Sequence, residues 1–176
     1  MTTFIGAGIM STERPLPLDR VCLVNPGQAL DAGDRTLRAF RPPLFDNPGT
    51  VGFYDDRSAT CFSSDCFGAH MPSAELAVAD DVGAVPAGDL HDAQLLWATV
   101  DSPWVRVVDK DKYLATVQPL RTMAPELVLC THLPPASPLA GPMLDTIEAA
   151  PGADPFVGPD QQALEQMLAG FEPAQP

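Results

Sequence analysis

Apolar positions recur every second residue in the first part of the chain and at helical spacing in the second. Residues 36–40 set Leu37 and Ala39 against Thr36 and Arg38, the alternation of a half-buried strand. Residues 51–54 and 59–64 flank Asp55-Asp56-Arg57-Ser58, which predicts a hairpin whose second strand ends at Asp65. Ahead of them, apolar residues 21–24 stop at Asn25-Pro26-Gly27, where Pro fixes φ and Gly permits a positive φ. A second turn follows at Asp31-Ala32-Gly33-Asp34. Beyond Pro72 the spacing changes. Asp89 is the expected N-cap of a helix through Leu90, Leu96, Trp97 and Val100, and Ser102-Pro103 restarts helix. Asp109 caps a further helix with Tyr113, Leu114, Val117 and Leu120 on one face. Pro119 is expected to kink that helix or end it early. Residues 127–130 read as a strand. Met143, Leu144 and Ile147 predict a short helix closed by Pro151-Gly152, and residues 161–168 another after Pro159.

With 45% apolar residues, the chain carries enough hydrophobic material for one domain over residues 1–171, leaving residues 172–176 as a frayed tail. The 20 prolines mark connections, because apolar periodicity persists between them. A net charge of −13 argues against nucleic acid and anionic membrane surfaces, which need a basic footprint, but permits divalent cations. No apolar run approaches the roughly 18 residues that span a bilayer, and the N-terminus lacks the pattern of a secretory signal. Cys61, Cys66 and Cys130 lie on or beside apolar runs, as buried thiols do, so the expected compartment is the cytoplasm.

Chemistry is concentrated where two apolar runs stop. One runs through Cys61-Phe62-Ser63-Ser64 to Asp65, followed by Cys66-Phe67-Gly68-Ala69-His70; the other, Leu127-Val128-Leu129-Cys130, leads through Thr131 to His132-Leu133-Pro134-Pro135. A carboxylate at a strand end can point into a cleft as a hard ligand, or accept backbone N–H bonds in a turn before Gly68. His132, on a loop stiffened by two prolines, suits a borderline metal or a structural hydrogen bond. Asp46, within Phe45-Asp46-Asn47-Pro48, reads as a ligand or as part of a turn. A Cys/His zinc site from Cys61, Cys66, His70, Cys130 and His132 lacks the tight spacing of a zinc knuckle. His91 reads as a solvated helix residue. Arg41, with Trp97 and Trp104, reads as lining the pocket edge, although a tryptophan at helical spacing is usually core.

The pair Ser-Asp-x-Phe-Gly-x-His and Thr-His-Leu-Pro-Pro resembles the second half of a metallo-β-lactamase-fold hydrolase, closest to the flavodiiron-like branch. The likeness runs roughly from residue 3 to residue 135. It implies an α/β fold: the C-terminal half of an αββα sandwich, with an antiparallel or mixed sheet and flanking helices. It also implies that Asp65 bridges two metals as the central catalytic and metal-binding residue, that His132 binds one of them, and that Asp46 stands where the family has a ligating histidine. His70 would be a supporting or substrate-contacting residue in the same cleft. The family's His-x-His-x-Asp-His loop is absent, for the chain has three histidines, His70, His91 and His132, with no two close together. The sequence starts just after the point where that loop would end, so it reads as the C-terminal part of such a domain.

The activity implied is metal-activated water attacking an ester, lactone, thioester or phosphoester, with zinc, iron or manganese as the cofactor. With at most three ligand positions filled, the chain is expected to be weakly active or inactive and to hold little metal. Flavodiiron activity is not implied, because no flavin-binding domain accompanies the motif. The alternative is a non-catalytic binding or structural remnant. In either case the uncovered sheet should self-associate or recruit a partner.

Overall fold

The computed structural model describes residues 1–170; the expected boundary at residue 171 and the tail beyond it lie outside the described residues. Five strands form one sheet in sequence order: β1 (Ala29–Asp31), β2 (Thr36–Phe40), β3 (Gly52–Asp55), β4 (Thr60–Phe62) and β5 (Leu127–Leu129). The first four are successive antiparallel neighbours, whereas β5 pairs parallel with β4 after a long helical crossover. The helices are α1 (Phe4–Glu13), α2 (Ala74–Ala77), α3 (Ala87–Asp101), α4 (Lys110–Met123), α5 (Ala140–Ala149) and α6 (Gln161–Ala169).

The two faces of the sheet have different fates. Tyr54, Cys61 and Val128 are paired across β3, β4 and β5 and are buried in the core with Val117, Leu120, Met143 and Ile147 of α4 and α5. The Tyr54 hydroxyl donates to the carbonyl of Met123, and the Tyr113 hydroxyl to that of Ile147, tying sheet to α4 and α4 to α5. The opposite row is Phe53, Phe62 and Leu129; Phe62 is 43% exposed and the other two half-buried. No helix of the described residues is long and apolar enough to cross a membrane.

Several local expectations are corrected. The first part of the chain is not purely strand: residues 4–13 form α1, capped by the Thr3 hydroxyl, which accepts from the Gly6 N–H. Residues 21–24 make only an isolated bridge, Leu23 to Thr2, because nothing continues the pairing. The helix expected to start at Asp89 begins at Ala87 behind Pro86, and Asp89 occupies its first turn, where its charge suits the N-terminal dipole. Residues Pro103–Val107 form a 3-10 turn rather than a new α-helix. Pro119 neither ends nor shortens α4, which runs to Met123 and closes on Ala124 at a left-handed φ of 45°. One missing N–H is tolerated where Val117 and Leu120 on either side are fully buried.

Candidate metal site at the sheet end

Parallel pairing of β4 with β5 sends both chains off the sheet at the same end. Their exits are laced together: the Ser63 N–H donates to the Leu129 carbonyl, Thr131 N–H to Ser64, and Ala69 N–H to His132. The strand stops at Phe62, not Asp65. Ser64 then takes a left-handed φ of 53°, which swings Asp65 out of the sheet line into a turn closed by the Gly68 N–H on the Asp65 carbonyl. The result is contact between residues far apart in sequence. His132 Nε2 lies 3.0 Å from Asp65 Oδ1, the same oxygen that accepts the Thr131 hydroxyl, while the Ser64 hydroxyl donates to Oδ2.

The Asp-x-Phe-Gly residues around this carboxylate have physical roles. Phe67 is fully buried, and its carbonyl accepts from buried Gln94 on α3 at 2.9 Å. Gly68 makes room for Trp97, since a Cβ there would lie 2.4 Å from the indole nitrogen. With that approach open, Trp97 Nε1–H donates to the Asp65 carbonyl at 3.1 Å and its ring lies 4.4 Å from the His132 ring, centroid to centroid.

Two further carboxylates close on Asp65. Asp46 comes from the loop before β3, which is pinned by Arg41 Nη1 donating to the carbonyls of Pro48 and Thr50 and by Trp104 donating to Phe45. Asp101 ends α3. One oxygen each of Asp46, Asp65 and Asp101 lie within 4.8 Å of one another. Burial pushes the Asp101 carboxyl above its ordinary pKa; the Ser102 hydroxyl opposes this, Asp65 and Asp46 add like-charge repulsion, and His132 counters it. Asp101 was not anticipated from the sequence. The available signal is an acidic residue closing an apolar helix directly before Ser102-Pro103.

The other anticipated residues fall elsewhere. His70 is exposed and lines a small hollow with Pro72, Asp89, Asp92 and Ala93 on the flank of α3. His91 is exposed but anchored, its Nδ1 3.0 Å from the Thr146 hydroxyl on α5. The four cysteines are free. Burial pushes the Cys61 thiol up to about 12 and the Cys130 thiol up to about 11, so neither is a ready thiolate. Trp97, read either as core or as a residue of the pocket edge, touches both halves of the candidate site.

No family model and no curated protein matches the sequence. Solved structures match the fold. Rubredoxin oxygen:oxidoreductase from Desulfovibrio gigas is similar with a TM-score of 0.61 at 18% identity, over 86% of this chain and 36% of that one. The flavodiiron protein from Giardia intestinalis gives 0.65 at 15% identity, over 85% and 35%. The chemotaxis sensor ODP from T. denticola gives 0.59 at 13% identity, over 94% and 62%. The chain thus spans about a third of the length of the two flavodiiron-type proteins. Its fold is the C-terminal half of a metallo-β-lactamase-like αββα sandwich, in the form that flavodiiron and related diiron proteins carry.

Proposed function

We propose that this chain is a non-catalytic metallo-β-lactamase-type domain that holds one oxygen-preferring divalent cation weakly and docks its open sheet face on a second sheet. The observation that supports the cation site is the convergence of Asp46, Asp65 and Asp101 within 4.8 Å, with His132 3.0 Å from Asp65. Three carboxylates do not fit a two-metal centre, in which each ion needs about three protein ligands. They do fit a single ion, and their hard oxygens favour magnesium, manganese or ferrous iron over zinc, with His132 bonded to Asp65 beside them. A bound ion would supply charge neutralisation for three crowded carboxylates. Carboxylate-rich ligation also weakens an ion's pull on a bound water, which counts against the hydrolase reading.

Asp65 is held by Thr131 and Ser64, and His132 by Trp97. These contacts preset the two side chains. Calorimetric titration of the purified chain with manganese tests the proposal. One equivalent with a Kd of about 0.1–1 mM is expected, lost in Asp65→Ala. Two equivalents, or metal-dependent turnover of an ester, lactone or phosphodiester, would favour the hydrolase reading instead.

A further inference from the structure

Away from the carboxylate cluster lies a larger hollow of about 770 Å³ between α4, the end of β2 and the loop that follows it. Its size falls within the range of small-molecule sites. The wall is built chiefly from Phe40, Phe45, Trp104, Tyr113, Leu120 and Met123. Every hydrogen-bonding side chain in that wall is already engaged within the protein. Trp104 Nε1–H donates to the Phe45 carbonyl, the Tyr113 hydroxyl to Ile147, and the Thr116 hydroxyl to the Tyr113 carbonyl. Nothing in the interior therefore asks a ligand for a polar group, and an apolar body loses nothing on entering.

Two cations also line the hollow, Lys112 and Arg41, out of only ten in a chain of net charge −13. Arg41 is fixed: its Nη1 donates to the Pro48 and Thr50 carbonyls, and its guanidinium carbon lies 5.1 Å from the Phe45 ring centre. Lys112 is free to move, with its only ion pair among the described residues a 4.0 Å approach to Asp109. Asp109 also lines the hollow, but one of its carboxylate oxygens accepts from the Lys112 N–H as the cap of α4.

We infer that this hollow binds a small monocarboxylate with an apolar tail, the tail against Phe40, Trp104 and Leu120 and the carboxylate between Lys112 and Arg41. The charge pattern selects the anion: the surface as a whole repels it, and these two cations locally reverse the sign.

Titration of the full chain with dodecanoate, and separately with dodecan-1-ol, by calorimetry tests this. One site is expected, with a Kd of about 10–100 µM for the acid. Thr116→Phe fills the hollow from α4 and Val108→Phe from the turn that precedes it; each should abolish binding while the far-ultraviolet circular dichroism is unchanged. Lys112→Gln should weaken dodecanoate five- to tenfold and leave the alcohol unaffected. Val78→Asp, at an exposed apolar position outside the hollow, should leave binding unchanged. Unchanged binding in both filled variants, or uptake of several equivalents removed by Phe62→Asp, would overturn the assignment. Tighter binding in the Leu164→Asp, Leu168→Asp double variant would also overturn it, by showing that the exposed apolar side of α6 is the natural occupant.

Discussion

The indole of Trp97 lies against the imidazole of His132 with ring centres 4.4 Å apart, while its N–H donates to the backbone carbonyl of Asp65. One side chain of α3 thereby braces both loops that leave the sheet. Two further side-chain contacts join the loops, the direct His132–Asp65 contact and the Thr131 hydroxyl on Asp65. Such redundancy holds the proposed site in place, which would lower the ordering cost of binding an ion.

Trp97 should accordingly report cation binding. Manganese is expected to alter the tryptophan emission with the same midpoint that calorimetry gives, and Trp97→Phe, which keeps Trp104, should remove the change. Asp65→Ala should abolish the change. An emission spectrum indifferent to millimolar manganese would mean that the carboxylates do not share an ion.

Asp101 should lower stability in the metal-free chain. Its raised pKa means that the folded state holds the proton more tightly than the unfolded state. Stability therefore falls as pH rises from the unfolded pKa, near 3.9, through the folded one, and stays lower above it. Asp101→Asn is expected to raise the melting temperature at pH 7, with the gain shrinking toward pH 4. The same variant should lose the stabilisation that manganese gives the parent. Equal melting temperatures at pH 7 would show that the carboxylate is relieved by solvent.

How much of this was legible in the sequence depends on where the information sits. The β3–β4 hairpin was readable because its period-2 apolar runs enclose a turn sequence, and α4 because Asp109 and the Tyr113, Val117, Leu120 stripe agree. The meeting of Asp65 and His132 at one end of the sheet was readable, since each follows an apolar run. Asp101 was not, because its approach to Asp65 depends on how α3 packs and on no local pattern. Neither was the role of Trp97, which exists only because Gly68 has no side chain to keep the indole away. Helix α1 escaped notice because its apolar residues do not form a stripe and none is buried.

Ala124 closes α4 at a φ of 45°, a left-handed conformation in which its Cβ crowds the backbone. Ala124→Gly removes that conflict at the position where glycine commonly ends helices. After the entropy glycine loses on folding, a net gain of about 0.5–1 kcal/mol is expected, or roughly 1–4 °C. Chemical denaturation would show it as a higher midpoint with an unchanged slope.

Asp55 sets the acid limb of stability. It is buried at the end of β3, where it accepts from the Ser58 hydroxyl, the Arg57 N–H and the Arg35 guanidinium. These bonds, the Ser58 hydroxyl foremost, outweigh burial and hold its carboxyl below the ordinary value. The stabilisation is fully present above the unfolded pKa, near 3.9, and is lost as pH falls through the lower folded pKa. Asp55→Asn should destabilise the chain at pH 7 and flatten the fall in stability below pH 4. A parallel acid limb in the variant would move the effect to other carboxylates.

The open face of the sheet gives the last expectation. Phe53, Phe62 and Leu129 form a cross-strand row with Phe62 43% exposed, on the side that no helix core covers. Leu37 and Leu127 extend it, both half-buried. Contiguous apolar surface of this kind is rarely left in water by a monomer, and an αββα sandwich would place a second sheet here. The chain is therefore expected to self-associate at micromolar concentration, with light scattering giving a mass above 18.7 kDa that falls on dilution. Phe62→Asp puts an ionised group at the centre of the row and should return the mass to that of one chain without lowering helix content. The core on the other face, with Tyr54, Cys61 and Val128, does not include this row. A parent chain that is already a dispersed monomer, with the same thermal transition as Phe62→Asp, would show that the face is stable in water as it stands and needs no second sheet.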